Sequence, residues 1–197
     1  TTGGLRELGG RFKPALIPET GFYVKGWFRR AWERFGERHN FGLPLNNAFV
    51  RPSDERVVQY FEAAVLEYHP ERGEFPDFVN LSEADQVRLV IQVVDLGNTY
   101  TAGRDVPPPE ADPDGGRTFE ETGYTVRGAF LDFYIRLPGA WRLGAPISEE
   151  LIEEVHGRPT RVQYFQKGRL EWNPEAEVVQ LGLLGRWAWD IQCRYAP

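Results

Sequence analysis

The chain contains a duplicated segment, and this duplication constrains its fold more than any other feature of the sequence. Residues 121–175 match residues 19–71 in the order and type of their residues, and two residues are inserted in the second copy between the second and third matching blocks. The blocks are Glu19-Thr20-Gly21 with Glu121-Thr122-Gly123, Phe41-Gly42-Leu43-Pro44 with Leu143-Gly144-Ala145-Pro146, Val58-Gln59-Tyr60-Phe61 with Val162-Gln163-Tyr164-Phe165, and residues 66–71 with residues 170–175. Agreement over several ordered blocks indicates a duplicated supersecondary unit. The sequence therefore predicts two related modules.

Each copy has the pattern of a helix followed by a β-hairpin. Apolar residues recur at the spacing of one helical face in both copies. They are Val24, Phe28, Ala31, Trp32 and Phe35 in the first copy, and Val126, Phe130, Phe133, Tyr134 and Leu137 in the second. A Gly-X-Pro turn then stops the helix, and the β-rich runs 57–61 and 65–68 follow as a predicted hairpin. We predict an α+β fold of two tandem repeats, each an amphipathic helix, a hairpin and a further strand.

Composition places the boundaries of these modules. An N-terminal arm covers residues 1–18, the first module residues 19–100, a Pro/Gly-rich linker residues 101–118 and the second module residues 119–186. Residues 187–197 alternate apolar and polar side chains, which predicts a C-terminal strand with one covered face. Residues 83–96 fit both a helix capped by Ser82 and a strand, and the strand is slightly favoured.

Charge and hydropathy exclude some classes of partner. The net charge is −6 and the sequence pI is about 5.2, whereas nucleic-acid affinity depends largely on clustered Lys and Arg. We therefore expect no nucleic-acid partner. No run of about 18 apolar residues exists, so no membrane span is predicted. The 41% hydrophobic content is sufficient for packed cores.

The ends of the chain and its residue usage favour an exported protein. The sequence contains no Met and begins at Thr1, which is expected of a chain whose secretory signal has been removed. Its single cysteine, Cys193, cannot form an internal disulfide and is interpreted as structural. Arg is used far more than Lys, and this preference fits a thermophilic source, although codon bias produces the same pattern.

The repeated motifs resemble a known envelope family. The order of amphipathic helix, Gly-X-Pro turn and Tyr164-Phe165-x-x-Gly168 hairpin is similar to the LGFP-type repeat of bacterial cell-envelope proteins. It is more similar still to tandem units of secreted proteins from Chloroflexi-type bacteria, with E-T-G-x-x-V-x-G-x-F, V-Q-Y-F and E-[YW]-x-P-E signatures. The resemblance covers about two-thirds of the chain. It implies an exported, non-catalytic module that attaches to envelope glycan or to other envelope proteins. The first copy departs from the family pattern at Phe41 and Ala64.

Catalytic and metal-binding interpretations have little support in the sequence. The pairs Glu67 with Glu171, and Glu71 with Glu175, could supply carboxylates for glycoside hydrolysis, but they are repeat-equivalent positions. We therefore expect no enzyme. The histidines, His39, His69 and His156, lack ligand spacing, and Asp112-x-Asp114 lacks the later ligands of a calcium loop. No cofactor or metal is expected. Asn80 lies in a glycosylation sequon, which is weak evidence in a bacterial protein.

Aromatic residues form the candidate binding or assembly surface. The candidates are Tyr60, Tyr68, Tyr164, Trp172, Trp187 and Trp189, joined by Leu5, Leu8 and Phe12 of the N-terminal arm. Neighbouring hairpin residues point to opposite faces, so a sheet covered on one side would leave one aromatic set exposed. Two hypotheses follow. The preferred hypothesis is that the chain is a structural or adhesive surface protein that self-assembles into an extracellular filament or layer through its termini. The alternative is that each repeat holds one weak aromatic site for cell-wall glycan.

Overall fold

The computed structural model describes residues 13–110 and 114–195. Its helices are α1 (Gly26–Arg34), α2 (Glu37–Phe41), α3 (Glu83–Val90), α4 (Leu96–Thr101), α5 (Gly128–Arg136), α6 (Gly139–Arg142) and α7 (Leu184–Tyr195). Its strands are β1 (Ala15–Ile17), β2 (Phe22–Val24), β3 (Phe49–Val50), β4 (Val57–Phe61), β5 (Ala64–Tyr68), β6 (Ile91–Val93), β7 (Arg117–Thr118), β8 (Thr125–Val126), β9 (Leu151–Val155), β10 (Arg158–Phe165), β11 (Gly168–Asn173) and β12 (Val178–Leu181). The α+β class is confirmed. Leu5, Leu8, Phe12 and Asp112 lie outside the described residues.

The chain divides into two compact units whose boundaries differ from the expected modules. Among the described residues, the first unit contains 13–94 and 185–195, and the second contains 95–110 and 114–184. The chain therefore passes into the second unit after the first sheet and returns to the first unit after the second sheet. The helix that follows each sheet belongs to the other unit.

The first unit is built on an antiparallel sheet with the strand order β3-β4-β5-β6. The expected hairpin is confirmed, because β4 and β5 pair from Val57 opposite Tyr68 to Phe61 opposite Ala64. Helix α1 supplies the fully buried Phe28 and Ala31, as the apolar spacing predicts. This helix packs near β5 and β6 and forms the core of the unit on that side.

The second unit contains a matching antiparallel sheet with the order β12-β11-β10-β9. Its hairpin pairs Val162 with Glu171 and Phe165 with Gly168. Helix α5 covers one side, with Phe130 and Tyr134 buried. Tyr134 stacks on Phe165 with ring centroids 5.5 Å apart, so the predicted amphipathic helix is confirmed here as well.

The duplicated Val-Gln-Tyr-Phe motif holds a loop to each sheet. Gln59 is fully buried, and its Nε2 donates to the carbonyl oxygens of Tyr23 and Asn46, each at 2.9 Å. Gln163 is also fully buried and donates to the carbonyl oxygens of Thr125 and Ser148 at the same distances. Buried polar groups require such partners, so the repeated glutamine has a structural role.

The opposite face of each sheet is covered by a helix that the sequence did not predict. Trp189 of α7 lies 5.1 Å from the Tyr60 ring, and Tyr100 of α4 stacks on Tyr164 at 5.8 Å. Every residue of β4 is consequently buried. The expectation that one aromatic set remains exposed is wrong for the first hairpin, where Tyr60, Phe61 and Tyr68 are all buried. In the second hairpin Tyr164 and Phe165 are buried and Trp172 is half-buried.

Two secondary-structure expectations need correction. Residues 187–197 do not form a C-terminal strand, since α7 runs from Leu184 to Tyr195. Residues 83–96 are not mainly strand: α3 covers 83–90, with Ser82 Oγ accepting a hydrogen bond from the Asp85 amide, and only Ile91–Val93 is extended. The serine cap satisfies an amide at the start of the helix and therefore favours the helical alternative.

Candidate binding groove in the second unit

A groove of about 390 Å³ lies at one end of the second sheet. It is formed where the β9–β10 turn and the β11–β12 turn come together. The principal lining residues are Arg158, Thr160, Trp172, Asn173, Glu175 and Gln180, with His156 at the β9–β10 turn. Of the six aromatic candidates from the sequence, only Trp172 lies in this groove.

Two tight turns place these residues. His156 and Gly157 have φ values of 52° and 76°, so the two-residue loop between β9 and β10 has the left-handed geometry of common hairpin turns. On the other side, Asn173 Oδ1 accepts hydrogen bonds from the amides of Glu175 and Ala176 at 3.0 and 3.1 Å. The side chain of Asn173 therefore shapes the turn that carries Glu175.

The charges around the groove are compensated within the protein. At the rim, Arg158 Nη1 lies 2.6 Å from Glu175 Oε1, and both side chains are well exposed. Inside, the buried Glu171 carboxylate accepts from Arg169 Nε at 3.0 Å and from Gln180 Nε2 at 3.3 Å. An uncharged ligand would therefore meet no unpaired carboxylate at Glu171 or Glu175. An ionic ligand would have to displace an existing ion pair.

A buried network continues from Glu171 under α4. The Tyr164 hydroxyl donates to Glu153 Oε2 at 2.5 Å and accepts from Arg169 Nη1 at 3.1 Å. Burial first, and then the Glu153 carboxylate, raise the pKa of Tyr164. Burial opposes the charge of Arg169, but Glu171 and Tyr164 outweigh it and raise the pKa of Arg169 above its usual value. The network is thus a fixed, charged support for the groove floor.

Trp172 borders the groove and is half-buried, but its indole lies on the other face of the sheet. The Arg161 guanidinium carbon lies 5.0 Å from the Trp172 ring centroid and 5.3 Å from that of Phe130 in α5. Neighbouring residues of a strand point to opposite faces, so Glu171 and its strand partner Gln180 face the α4 side instead. The groove lining is therefore mainly polar.

The remaining candidates do not form an exposed surface. Tyr60, Tyr68 and Tyr164 are only 5%, 6% and 1% exposed, because they pack inside the two units. Trp189 is half-buried against Tyr60, and Trp187 is half-buried elsewhere on α7. The sequence could not assign these residues to the interior, since their covering helices come from distant segments.

The equivalent position in the first unit is occupied by side chains of the protein. His69, which corresponds to Asn173, lies between two carboxylates, with Nε2 3.3 Å from Glu67 and Nδ1 3.0 Å from Glu71. Glu67 is also paired with Arg51 at 2.6 Å, and Glu71 with Arg56 at 3.0 Å. The carboxylates considered for glycoside hydrolysis are therefore all paired with cationic residues.

In residues 13–110 and 114–195, no group of three or more His, Cys, Asp or Glu side chains could hold a metal ion. Over the same ranges, every helix is too short or too polar to cross a membrane. Cys193 is exposed on α7, and the exposed Asn80 donates to Asp77 at 3.3 Å.

Two kinds of important residue were missed at the sequence level. Arg142 is fully buried, and burial lowers its pKa to about 9. An arginine in a short helical segment gives no sign of burial, so no sequence signal identifies it. The lining residue Gln180 could have been found, because it lies directly opposite Glu171 when β11 and β12 are paired.

No family model matches the chain, and comparison with curated proteins gives no match.

Proposed function

We propose that the protein is an exported, non-catalytic module that binds carbohydrate in the groove of its second unit. The observation that carries this proposal is a charge-compensated lining of amide and hydroxyl groups at the end of the second sheet. The ligand class is inferred from this chemistry, and export is proposed on the envelope-protein resemblance.

The lining suits a neutral polyhydroxy ligand. Thr160 offers a hydroxyl group, while Asn173 and Gln180 offer amides that both donate and accept. Sugar hydroxyls require such mixed partners. Envelope glycan is therefore the partner that best combines the groove chemistry with the sequence resemblance.

Assembly through the termini has less structural support. This hypothesis depends on the glycine-rich N-terminal arm and on an aromatic strand at residues 187–197. The arm residues Leu5, Leu8 and Phe12 lie outside the described residues. The tail is helical, and Trp189 packs on Tyr60 and Phe49 within the first unit. The tail aromatics are thus partly engaged by their own unit, and assembly through a terminal strand becomes the second candidate.

Binding to purified cell-wall glycan tests the proposal. The substitution Gln180→Ala is expected to weaken binding by about tenfold, as one lost polar contact of about 1.4 kcal/mol would. Pull-down and isothermal calorimetry provide the measurements, and circular dichroism confirms that each variant is folded.

The first unit offers a matched control. Gln92 lies opposite Glu67 as Gln180 lies opposite Glu171, so Gln92→Ala removes the same amide from the unit without the groove described here. This variant is expected to bind as strongly as the unmodified protein. Equal losses for Gln92→Ala and Gln180→Ala, or no glycan binding by the intact protein, would contradict the proposal.

A further inference from the structure

Helix α7 is attached to the first unit by non-covalent contacts, whereas its covalent neighbour belongs to the second unit. Strand β12 ends at Leu181 in the second unit, and only Gly182 and Leu183 separate it from α7. A docking site that is formed by non-covalent contacts accepts the same helix from its own chain or from a second copy of the chain.

The start of α7 docks by backbone contacts on the β4–β5 turn. A methyl group built on Gly185 would lie 1.9 Å from the carbonyl oxygen of Phe61, so only glycine permits this approach. The next amide, that of Arg186, donates to the Glu62 carbonyl oxygen at 2.9 Å. The Arg186 guanidinium also pairs with the Glu62 carboxylate at 2.9 Å.

Further along α7, aromatic side chains extend the contact. The ring centroid of Trp189 lies 5.1 Å from that of Tyr60 and 6.2 Å from that of Phe49. Tyr60 and Phe49 are themselves stacked at 6.1 Å. Undocking of α7 would expose these aromatic rings to water. Because burial of apolar surface is favourable, re-docking of an α7 helix on the rings would be favoured.

Helix α4 docks in the same way on the second sheet. Gly97 follows a leucine at the helix start, as Gly185 does, and a methyl group on Gly97 would lie 1.7 Å from the Phe165 carbonyl oxygen. The following amide, that of Asn98, donates to the Gln166 carbonyl oxygen at 3.0 Å. The same pair of backbone contacts therefore occurs twice in the chain. In both cases the helix follows the sheet of one repeat in sequence and docks on the sheet of the other repeat.

We propose that α7 is an exchangeable element that docks on the first unit of a second copy of this chain and so links two copies. The partner surface is the β4–β5 turn with Tyr60 and Phe49, and the inserted groups are Gly185, Arg186 and Trp189. Mutual exchange gives a closed dimer, and one-way exchange gives an open chain of copies. This inference is independent of the proposed carbohydrate binding.

Charge reversal at the Arg186–Glu62 pair provides the test. Glu62→Arg alone places two arginines together at the docking site, and Arg186→Glu alone places two glutamates together. When the two variants are mixed, an exchanged α7 restores opposite charges at both docking sites. Co-refolding of the two variants at high concentration is expected to give at least about tenfold more mixed dimer than either same-variant dimer. Native mass spectrometry distinguishes the species by mass.

The double variant Glu62→Arg with Arg186→Glu is the control, because it restores the pair within one chain. The double variant is expected to show no preference for mixed dimers with either single variant over dimers of its own. Absence of dimers after co-refolding, or a random distribution of mixed and same-variant dimers, would overturn the proposal.

A second measurement covers the case in which a charge variant folds poorly. The full-length Gly185→Val chain cannot seat its own α7, so its docking site should bind a labelled peptide of residues 184–195. The same peptide carrying Gly185→Val is expected to bind at least about tenfold more weakly. No saturable binding of the unmodified peptide in a fluorescence-anisotropy titration would also overturn the proposal.

Discussion

At the residue scale, the two copies place the same glutamine in the same structural role. Gln59 and Gln163 each donate two hydrogen bonds to backbone carbonyl groups, one in a short strand and one in a loop. The neighbouring tyrosine amides are held by Asn46 Oδ1 in one unit and Ser148 Oγ in the other. The repeated, fully buried glutamine therefore holds a short strand and a loop to each sheet.

Replacement of either glutamine by leucine tests this role. Gln163→Leu leaves the carbonyl oxygens of Thr125 and Ser148 without their donor, at a cost of roughly 1–3 kcal/mol for each buried group. We expect the free energy of unfolding to fall by about 2–4 kcal/mol, measured by urea denaturation. Gln59→Leu is the matched variant and should give a similar loss. A loss below about 0.5 kcal/mol in both would contradict the interpretation.

The repeated glutamate of each copy is neutralised by an arginine from a different position. Glu67 is paired with Arg51, which follows β3, whereas Glu171 is paired with Arg169 on its own strand. The sequence predicted equivalent glutamates but not their partners, because the partner depends on which strands lie side by side.

The ion pair at Arg51 predicts a pH dependence of stability. A hydrogen bond from Arg51 lowers the pKa of Asp54 below its ordinary value of 3.8. A carboxyl group with a lowered pKa in the folded state stabilises the fold above pH 3.8 and loses this contribution as the pH falls further. Asp54→Asn should therefore be less stable than the unmodified protein at pH 7, and the difference should narrow below pH 3.8.

Thermal unfolding over pH 2–7 measures this difference. In an Arg51→Leu background, the hydrogen bond that lowers the Asp54 pKa is absent. Asp54→Asn is then expected to have a much smaller pH-dependent effect. A difference that widens on acidification would show that the sign is wrong.

At the element scale, the predicted helices α1 and α5 and both hairpins are correct, but the C-terminal element is wrong. Trp187, Trp189, Ile191 and Cys193 alternate as a strand would. The face of α7 that docks on the first unit contains Gly185 and Trp189, four residues apart, while Ile191 is 37% exposed. A short apolar segment fits either period, and only its docking partner decides between them.

The close approach at Gly97 gives a test for helix docking. Gly97→Ala normally favours a helix, but its methyl group would overlap the Phe165 carbonyl oxygen at 1.7 Å. We expect a net loss of about 1–3 kcal/mol in the free energy of unfolding, with faster hydrogen exchange in α4. Asn98→Ala, at the exposed next position, is the control and should change little. Stabilisation by Gly97→Ala would contradict the close packing.

At the whole-molecule scale, the repeat boundaries and the structural boundaries differ. Fold class and most local elements followed from residue pattern, since apolar periodicity depends on nearby residues. The unit boundaries could not be predicted, because they depend on α4 packing on a sheet built from later residues. Only Trp172 of the six aromatic candidates was placed in the groove, and the polar lining comes from turns whose pairing the sequence does not specify.

Expression of fragments distinguishes the two sets of boundaries. Residues 95–184 form the second unit as one continuous segment, so this fragment is expected to fold and unfold cooperatively. Residues 119–186, the module drawn from the repeat, lack α4 and leave Tyr164 uncovered. This shorter fragment should be less stable and should bind hydrophobic dye. Equal stability of the two fragments in calorimetry would show that α4 contributes nothing.

The position of α7 after the second unit in the sequence also sets an order of events during synthesis. The second unit has all of its residues once Leu184 has been made, whereas the first unit still lacks the helix that covers Tyr60. The unit whose synthesis begins first is thus completed after the other. Until α7 has been made, the aromatic face of the first unit stays open to chaperones, to proteases or to a neighbouring nascent chain.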